Sequence, residues 1–218
     1  MASVGAYKRG KYTTTQAPTF RKLSNQTGAS LTEQELIAGL KRGDEACFHY
    51  LVNTYQDLVY NTAYGLLQQA QDAEDVAQEV FLQVFRSIHQ FKSEAKLSTW
   101  LYRITTSRAL DLIRSKKSKK RFGIIQRLWG GDEEVALDIP DTHHPGVALE
   151  QKEDAGKLWR AIAKLPENQR VAFTLHKLEG LSYQTVSEIM GNSLPAVESL
   201  MHRARLNLKK ILEQEISS

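Results

Sequence analysis

Residues 166–210 constrain the fold of this chain most, because they read as three helices separated by a short connection and a tight turn. The second helix ends at Gly191, a residue type that readily takes the left-handed backbone conformation of such a turn. Asn192 or Ser193 can then cap the third helix with a side-chain oxygen. This order predicts a helix-turn-helix unit, which places its last helix in the major groove of DNA.

The last helix of this unit has two different sides. Apolar residues recur along it at steps of three and four, which predicts a buried side. These residues are Val197, Met201, Ala204, Leu208 and Ile211. The opposite side presents Pro195, Glu198, Ser199, His202 and Arg203. Arg203 suits guanine and Glu198 suits cytosine, so this side is predicted to contact bases.

The basic residues farther along the helix, Arg205, Lys209 and Lys210, suit DNA phosphates. An alternative stays open on spacing alone. The same pattern also fits an amphipathic helical hairpin whose basic face is only solvated.

Four helices are predicted before this unit. Thr32 and Glu35 form a capping-box pattern that opens a helix through Lys41. Three longer helices are predicted from Asp44 to about Gln69, from Asp72 to about Ser87, and from a Ser98 cap to about Arg121. No stretch alternates as a strand would. The chain is therefore predicted to be all-α, with two small helical bundles joined by a flexible linker.

The predicted divisions of the chain are a disordered basic tail at 1–30, bundles at 31–121 and 151–218, and a linker at 122–150. The tail holds five basic and no acidic residues and therefore accounts for the net charge of +4. The net charge thus gives little information about the function of the folded part. The linker contains an apolar segment at 124–129. Packing of that segment on a neighbouring bundle and docking on a partner are both open.

Aromatic and basic residues interleave over residues 91–121, a composition that suits unpaired bases and a phosphate track. These residues include Phe91, Lys92, Lys96, Trp100, Tyr102, Arg103, Arg108 and Arg114. The alternative is that Trp100 and Tyr102 belong to the core and that the Lys/Arg cluster is a solvated helix end.

A polar strip of Asp75, Gln78 and Glu79 accompanies the apolar stripe of the third helix. Acidic groups near a helix start are favoured by the helix dipole, so capping and solvation alone can explain it. A protein-binding face is the second reading.

The sequence gives little support for an enzyme or for a metal-binding protein. The chain has no glycine-rich phosphate loop and no hydrolase or zinc-protease motif, so no catalytic residue and no cofactor is expected. His143 and His144 beside Asp141 lack a second ligand pair, so a metal site is not expected. The single cysteine, Cys47, is predicted to be buried. No apolar run could span a bilayer, which predicts a soluble, cytoplasmic protein.

Three stretches in this order resemble bacterial RNA polymerase sigma factors of the extracytoplasmic-function group. DAEDVAQEVFLQVF, at 72–85, is similar to the polymerase-binding helix of that family. FKSEAKLSTWLYRITTSRALDLIR, at 91–114, is similar to its promoter-melting segment. The stretch from LPENQRVAF to RARLNL, at 165–208, is similar to its reader of the upstream promoter element.

The resemblance implies a role for each matched position. Asp75, Gln78 and Glu79 would face the clamp helices of the largest polymerase subunit. Glu198, Ser199, His202, Arg203 and Arg205 would bind the −35 element as duplex. The implied contacts to the melted −10 strand are Phe91, Lys92, Lys96, Leu97, Ser98, Trp100, Arg103, Ser107 and Arg108.

The implied partners are core RNA polymerase, promoter DNA and, for many members of the family, an anti-sigma factor. Two other classes compete with this interpretation. One is a free-standing helix-turn-helix regulator whose front bundle senses a ligand or dimerises. The other is an interaction adaptor without a role on DNA.

Overall fold

The computed structural model describes residues 31–128 and 149–216, and over these ranges the chain is helical with no strand. The front part holds α1 (Glu33–Lys41), α2 (Glu45–Leu67), α3 (Ala70–Ser87), a 3₁₀ turn (Ile88–Gln90) and α4 (Leu97–Leu128). The rear part holds α5 (Leu149–Ala163), α6 (Glu167–Phe173), a π-helical turn (Thr174–Leu178), α7 (Tyr183–Met190) and α8 (Leu194–Ile216). The all-α prediction is confirmed.

The predicted caps of the first two helices are present. The Glu35 N–H donates to Thr32 Oγ1 at 3.2 Å, and the Thr32 N–H donates back to the Glu35 carboxylate at 2.8 Å. The second bond and its hydroxyl counterpart hold the pKa of Glu35 below its usual value. Asp44 accepts from the N–H groups of Ala46 and Cys47. Side-chain oxygens thus satisfy donors that the first turn leaves unpaired.

Three helix boundaries differ from prediction. The third helix begins at Ala70, so only Asp72 of its acidic residues lies in the first turn. The fourth begins at Leu97, which places Ser98 inside the helix and not at its cap. It also continues to Leu128, so residues 122–128 are helical where a linker was predicted. Lys and Arg favour helix, and one interior glycine, Gly123, costs only about 1 kcal/mol.

The rest of the predicted linker, residues 129–148, and the predicted tail, residues 1–30, lie outside the described residues, as do the side chains of 123–128. Cys47 is buried, as predicted.

The front bundle is built around α2, which packs against both α3 and α4. Its fully buried side chains include Leu51, Val59 and Leu66 of α2, Val80 of α3 and Leu101 of α4. The apolar stripe predicted on the third helix therefore faces the core.

The two bundles are packed against each other, an arrangement that the sequence did not predict. α7 lies on α4, and the π-helical turn lies on α2. One apolar cluster runs from the front bundle into Leu175, Val186 and Met201 of the rear bundle. A second cluster, around Ile162 and Leu208, belongs to the rear bundle alone.

Candidate nucleic-acid and polymerase interfaces

The turn between α7 and α8 has the geometry that the sequence predicts. Gly191 adopts φ 65°, and its N–H donates to the Ser187 carbonyl at the end of α7. α7 packs on α8. Val186 and Ile189 of α7 are buried, as are Val197 and Met201 of α8.

This packing leaves one side of α8 free of the protein core. The side chains of Glu198, Ser199, His202, Arg203 and Arg205 are all exposed. Arg203 Nε donates to the Ser199 carbonyl at 3.2 Å, and Arg205 Nη2 donates to the Tyr183 hydroxyl at 3.0 Å. The predicted base-contacting residues therefore all lie on the solvent-exposed side of α8.

The residues predicted to contact a melted strand fall into three groups. Phe91 and Leu97 are buried. Ser98 and Trp100 are partly buried. The exposed group is Lys92, Lys96, Arg103, Ser107 and Arg108.

Phe91 and Leu97 hold the loop between them against the rest of the bundle. The Phe91 ring lies 5.0 Å from the Trp100 ring, and the Phe91 carbonyl accepts from Lys41 Nζ at 2.8 Å. The Leu97 N–H donates to Glu33 Oε1 at 2.8 Å. The aromatic and apolar ends of this short loop turn inward, because water exclusion rewards their burial. These two side chains, predicted to contact the −10 strand, are therefore not part of the solvent-exposed surface of the loop.

Arg103 and Arg108, one turn and a half apart on α4, bind different neighbours. Arg108 Nε donates to Gln83 Oε1 of α3 at 2.7 Å. Arg103 donates through Nε and Nη2 to the Glu188 carbonyl of α7, at 3.1 and 2.7 Å. Arg103 is thus engaged by the rear bundle.

Tyr102, which is buried, and Glu179, which is partly buried, form a pair that sequence reasoning missed. The Tyr102 hydroxyl donates to Glu179 Oε2 at 3.2 Å. Burial raises the pKa of Glu179 to about 7, and the hydrogen bond from Tyr102 only partly offsets this. Burial and the neighbouring carboxyl also raise the pKa of Tyr102. Glu179 lies in a connection between helices, where no periodicity signals burial.

The polar strip of α3 is exposed at Asp75, Gln78 and Glu79. It continues into two apolar side chains, Leu82 and Phe85, which are 53% and 56% exposed. Large apolar groups at this exposure beside polar ones are typical of a protein-binding surface. Their helical spacing from Gln78 and Glu79 is the signal that sequence reasoning could have used.

Among residues 31–128 and 149–216, no group of His, Cys, Asp and Glu could hold a metal ion. His143 and His144 lie outside these ranges. None of the described helices is long and apolar enough to cross a bilayer.

Two family models match the chain in the order of its bundles. Sigma-70 region 2 matches residues 51–119, and Sigma-70 region 4 matches residues 155–208. The ECF RNA polymerase sigma factor SigW of Bacillus subtilis is 32% identical over 176 residues, covering 81% of this chain and 94% of the relative. The ECF RNA polymerase sigma-E factor of Haemophilus influenzae is 33% identical over 178 residues, covering 80% and 92%.

The chain belongs to the ECF RNA polymerase sigma factors. These proteins act in transcription initiation and are not themselves enzymes. The match to nearly the whole length of the relatives confirms the resemblance that the three sequence stretches indicated.

Two solved structures share the fold. CnrH, in a complex with the cytosolic domain of CnrY, superposes with a TM-score of 0.60 at 20% identity, covering 84% of this chain and 97% of that one. The sigma factor RpoE of Bartonella quintana, in a complex with the anti-sigma factor NepR, gives 0.55 at 22% identity, covering 76% and 96%.

Proposed function

We propose that this sigma factor recruits core RNA polymerase to specific promoters, reads the −35 element as duplex DNA and stabilises the melted −10 element. The observation that supports it best is the exposed side of α8. There, groove-sized polar side chains lie near the start of a helix that follows a glycine turn.

The −10 contacts are assigned to the exposed and partly exposed residues of the loop and of α4. Lys92, Lys96, Arg103 and Arg108 supply positive charge for phosphates. Trp100, partly buried against Phe91, presents the remainder of its ring for stacking. The buried side chains of Phe91 and Leu97 hold the loop against the bundle.

The polymerase contact is assigned to Asp75, Gln78 and Glu79 of α3. Leu82 and Phe85 extend this surface, because apolar area at the centre of an interface supplies much of its binding energy. The two proteins of known structure named above were solved with protein partners, one of which is an anti-sigma factor. We propose a partner of the anti-sigma class for this chain as well.

Run-off transcription with core polymerase and a genomic promoter library tests the proposal as a whole. Specific transcripts that need both proteins are expected. Gel shifts with and without polymerase separate this function from that of a free-standing regulator, which would bind duplex DNA tightly alone. Failure to bind core polymerase would remove the proposal.

Replacing Arg203 by alanine is expected to relax the −35 preference, with a cost of about 1–3 kcal/mol on the cognate base pair. The Arg203 guanidinium can donate two hydrogen bonds to guanine, whereas the second exposed arginine of this surface, Arg205, donates to the Tyr183 hydroxyl. Transcription from a library of −35 variants measures the effect. Lys209→Ala is the control, because a phosphate contact should weaken binding evenly across sequences. An even loss for Arg203→Ala would contradict the base-reading role.

Replacing Glu79 by lysine is expected to weaken core polymerase binding by about tenfold or more, because it reverses the charge at the centre of the exposed strip. Asp57→Lys is the control, since it makes the same reversal of charge at an exposed position on α2, outside the proposed contact. Anisotropy titrations of labelled sigma factor with core polymerase give both affinities. Equal losses in the two variants would argue against a specific contact at Glu79.

A further inference from the structure

α1 binds both ends of the loop that carries part of the proposed −10 contact. At one end of the loop, Lys41, the last residue of α1, donates through Nζ to the Phe91 carbonyl at 2.8 Å. At the other end, the Leu97 N–H donates to Oε1 of Glu33, the first residue of α1, at 2.8 Å. These partners lie 50 and 64 positions apart in the chain, so neither bond follows from local folding. One short helix therefore spans the base of the loop.

Both bonds join a charged side chain to a backbone group, and such bonds are stronger than neutral ones. The bond to Glu33 also has a structural reason. Leu97 is the first residue of α4, so its N–H has no partner within the helix, and Ser98, the predicted cap, lies inside the helix. The helix dipole favours a carboxylate at this end. Glu33 thus serves α4 as a cap supplied by another helix.

α1 is itself held in place along its length. Leu36 is fully buried, and Leu40 is 6% exposed. The Thr32–Glu35 capping box fixes the first turn, and the helix packs on α2 and on the 3₁₀ turn that precedes the loop. From Glu33 to Lys41 the helix rises about 12 Å. The separation of the two anchoring residues is therefore set by a packed helix and not by the loop.

The loop between these anchors is exposed and contains an unfavourable backbone conformation. Lys92, Ser93, Glu94 and Lys96 are exposed, and Ala95 is partly exposed. Ser93 adopts φ 58°, a left-handed conformation that is unfavourable for residues other than glycine. Such a conformation persists where the surrounding structure determines the backbone path. The two anchored ends supply that constraint, because none of the five residues between them is buried.

A fixed backbone path matters for reading bases and much less for attracting phosphates. Specific recognition requires donors and acceptors to be held within about 0.5 Å of their productive positions. Attraction of phosphates by Lys92 and Lys96 depends on charge and falls off slowly with distance. Freeing the loop should therefore reduce discrimination between −10 sequences more than it reduces affinity for single strands in general.

We propose that α1 is a positioning element for the −10 contact. Lys41 and Glu33 hold the two ends of the loop at 91–97, and this gives the loop the single conformation that discriminates between bases. Neither residue touches DNA. This role rests on the proposed function and deepens it, because it assigns −10 specificity in part to residues outside the contact surface.

The test uses paired variants of the full chain. Lys41→Met keeps the length of the side chain but removes its donor, whereas Lys41→Arg keeps a charged donor. Glu33→Ala removes the acceptor, whereas Glu33→Gln keeps a neutral one. Arg42→Met is the matched control, because it makes the same loss of charge at the exposed residue that follows α1.

Two measurements separate anchoring from recognition. The mobility of a spin label at Glu94→Cys, recorded on the free chain, reports whether the loop is held. Holoenzyme affinity is then measured for a native single strand, which spans the −10 region of a promoter transcribed by the wild type, and for the same strand with each base substituted in turn. Core polymerase affinity of every variant reports whether the front bundle is intact.

Lys41→Met and Glu33→Ala are each expected to raise the label mobility and to weaken binding of the native strand about tenfold, the effect of losing one charge-assisted bond. Affinity for the substituted strands should change by less than about twofold, so the ratio of native to substituted affinity should fall. Lys41→Arg and Glu33→Gln should retain most of this ratio, and Arg42→Met should retain all of it. Core polymerase affinity should stay at the wild-type value throughout.

Either of two results would overturn the inference. Unchanged label mobility in both Lys41→Met and Glu33→Ala would show that α1 does not hold the loop. An unchanged affinity ratio with a mobile loop would show that the conformation of the loop does not discriminate between bases. A wild type that binds no core polymerase and transcribes no promoter would instead contradict the proposed function, and the label mobility would still decide whether α1 holds the loop.

Discussion

Arg170→Ala is expected to lower the free energy of unfolding by about 3 kcal/mol, since it leaves several buried acceptors unpaired. The guanidinium donates to the carbonyls of Leu66, Ala163 and Leu165, at 3.1, 2.6 and 3.3 Å. Leu66 lies in the last turn of α2, and Ala163 ends α5. The last carbonyls of a helix lack intrahelical partners and carry the negative end of its dipole. One buried cation therefore caps two helices, one from each bundle.

Urea unfolding followed by circular dichroism measures this loss. Arg160→Ala is the matched control, because Arg160 is exposed on α5 and its removal should cost less than about 0.5 kcal/mol. The loss of unfolding free energy for Arg170→Lys should lie between these two values. Lysine keeps the charge, but its ammonium group cannot donate to three carbonyls as the planar guanidinium does. A change below about 1 kcal/mol for Arg170→Ala would show that water replaces the lost bonds.

The packing of the two bundles is expected to weaken as pH rises from about 5 to about 8. The cause is the Glu179 carboxyl, whose pKa lies at about 7 when the bundles are packed and whose usual value is 4.5. A group whose pKa is raised in the packed state favours that state fully below 4.5 and loses this contribution as pH rises through 7. The rise in the pKa of Glu179 from 4.5 to about 7 corresponds to about 3 kcal/mol of packing free energy, which is lost once the pH is above both values.

The partner of Glu179 across the contact is Tyr102, which remains a neutral donor over this range because its own pKa is raised. Other charged or titratable groups on the packed elements include Arg103 on α4, His176 and Lys177 in the π-helical turn, and Tyr183 and Glu188 on α7. Electron spin resonance of labels at Glu74→Cys on α3 and Lys210→Cys on α8 measures the distance between the bundles, and its change from pH 5.5 to 8.5 gives the profile.

Glu179→Gln should flatten the pH profile and keep the bundles packed at pH 8, because the amide is neutral and still accepts from Tyr102. Glu188→Gln is the control, since that carboxyl is exposed and only its backbone carbonyl binds Arg103. If the pH profile survives in Glu179→Gln, another group controls the packing.

Local signals in the sequence predicted most of the helices correctly. The capping pair Thr32 and Glu35, the Asp44 cap and the Gly191 turn act within a few residues, so their consequences can be read from the chain directly. The predicted helix boundaries were wrong where the helix propensity of the residues and the linker-like composition of the segment point in different directions. α4 continues past its basic residues to Leu128, although the sequence from residue 122 onwards resembles a linker.

Burial of the individual site residues was harder to predict. Phe91 and Leu97 sit in a polar loop that indicates exposure, yet both are buried because the loop is short and its ends reach α1 and Trp100. Leu82 and Phe85 stayed unnoticed on α3, because apolar residues on an amphipathic helix are expected to face the core.

The sequence by itself determined that the chain is all-α, that it carries a helix-turn-helix and that it belongs to the sigma factor family, because helix periodicity, caps and turn residues are local. Only the tertiary structure decided that the two bundles pack together. It also decided that Arg170 caps two helices and that Glu179 meets Tyr102. Those contacts join residues 77 and 104 positions apart. Their energy depends on burial that no local pattern encodes.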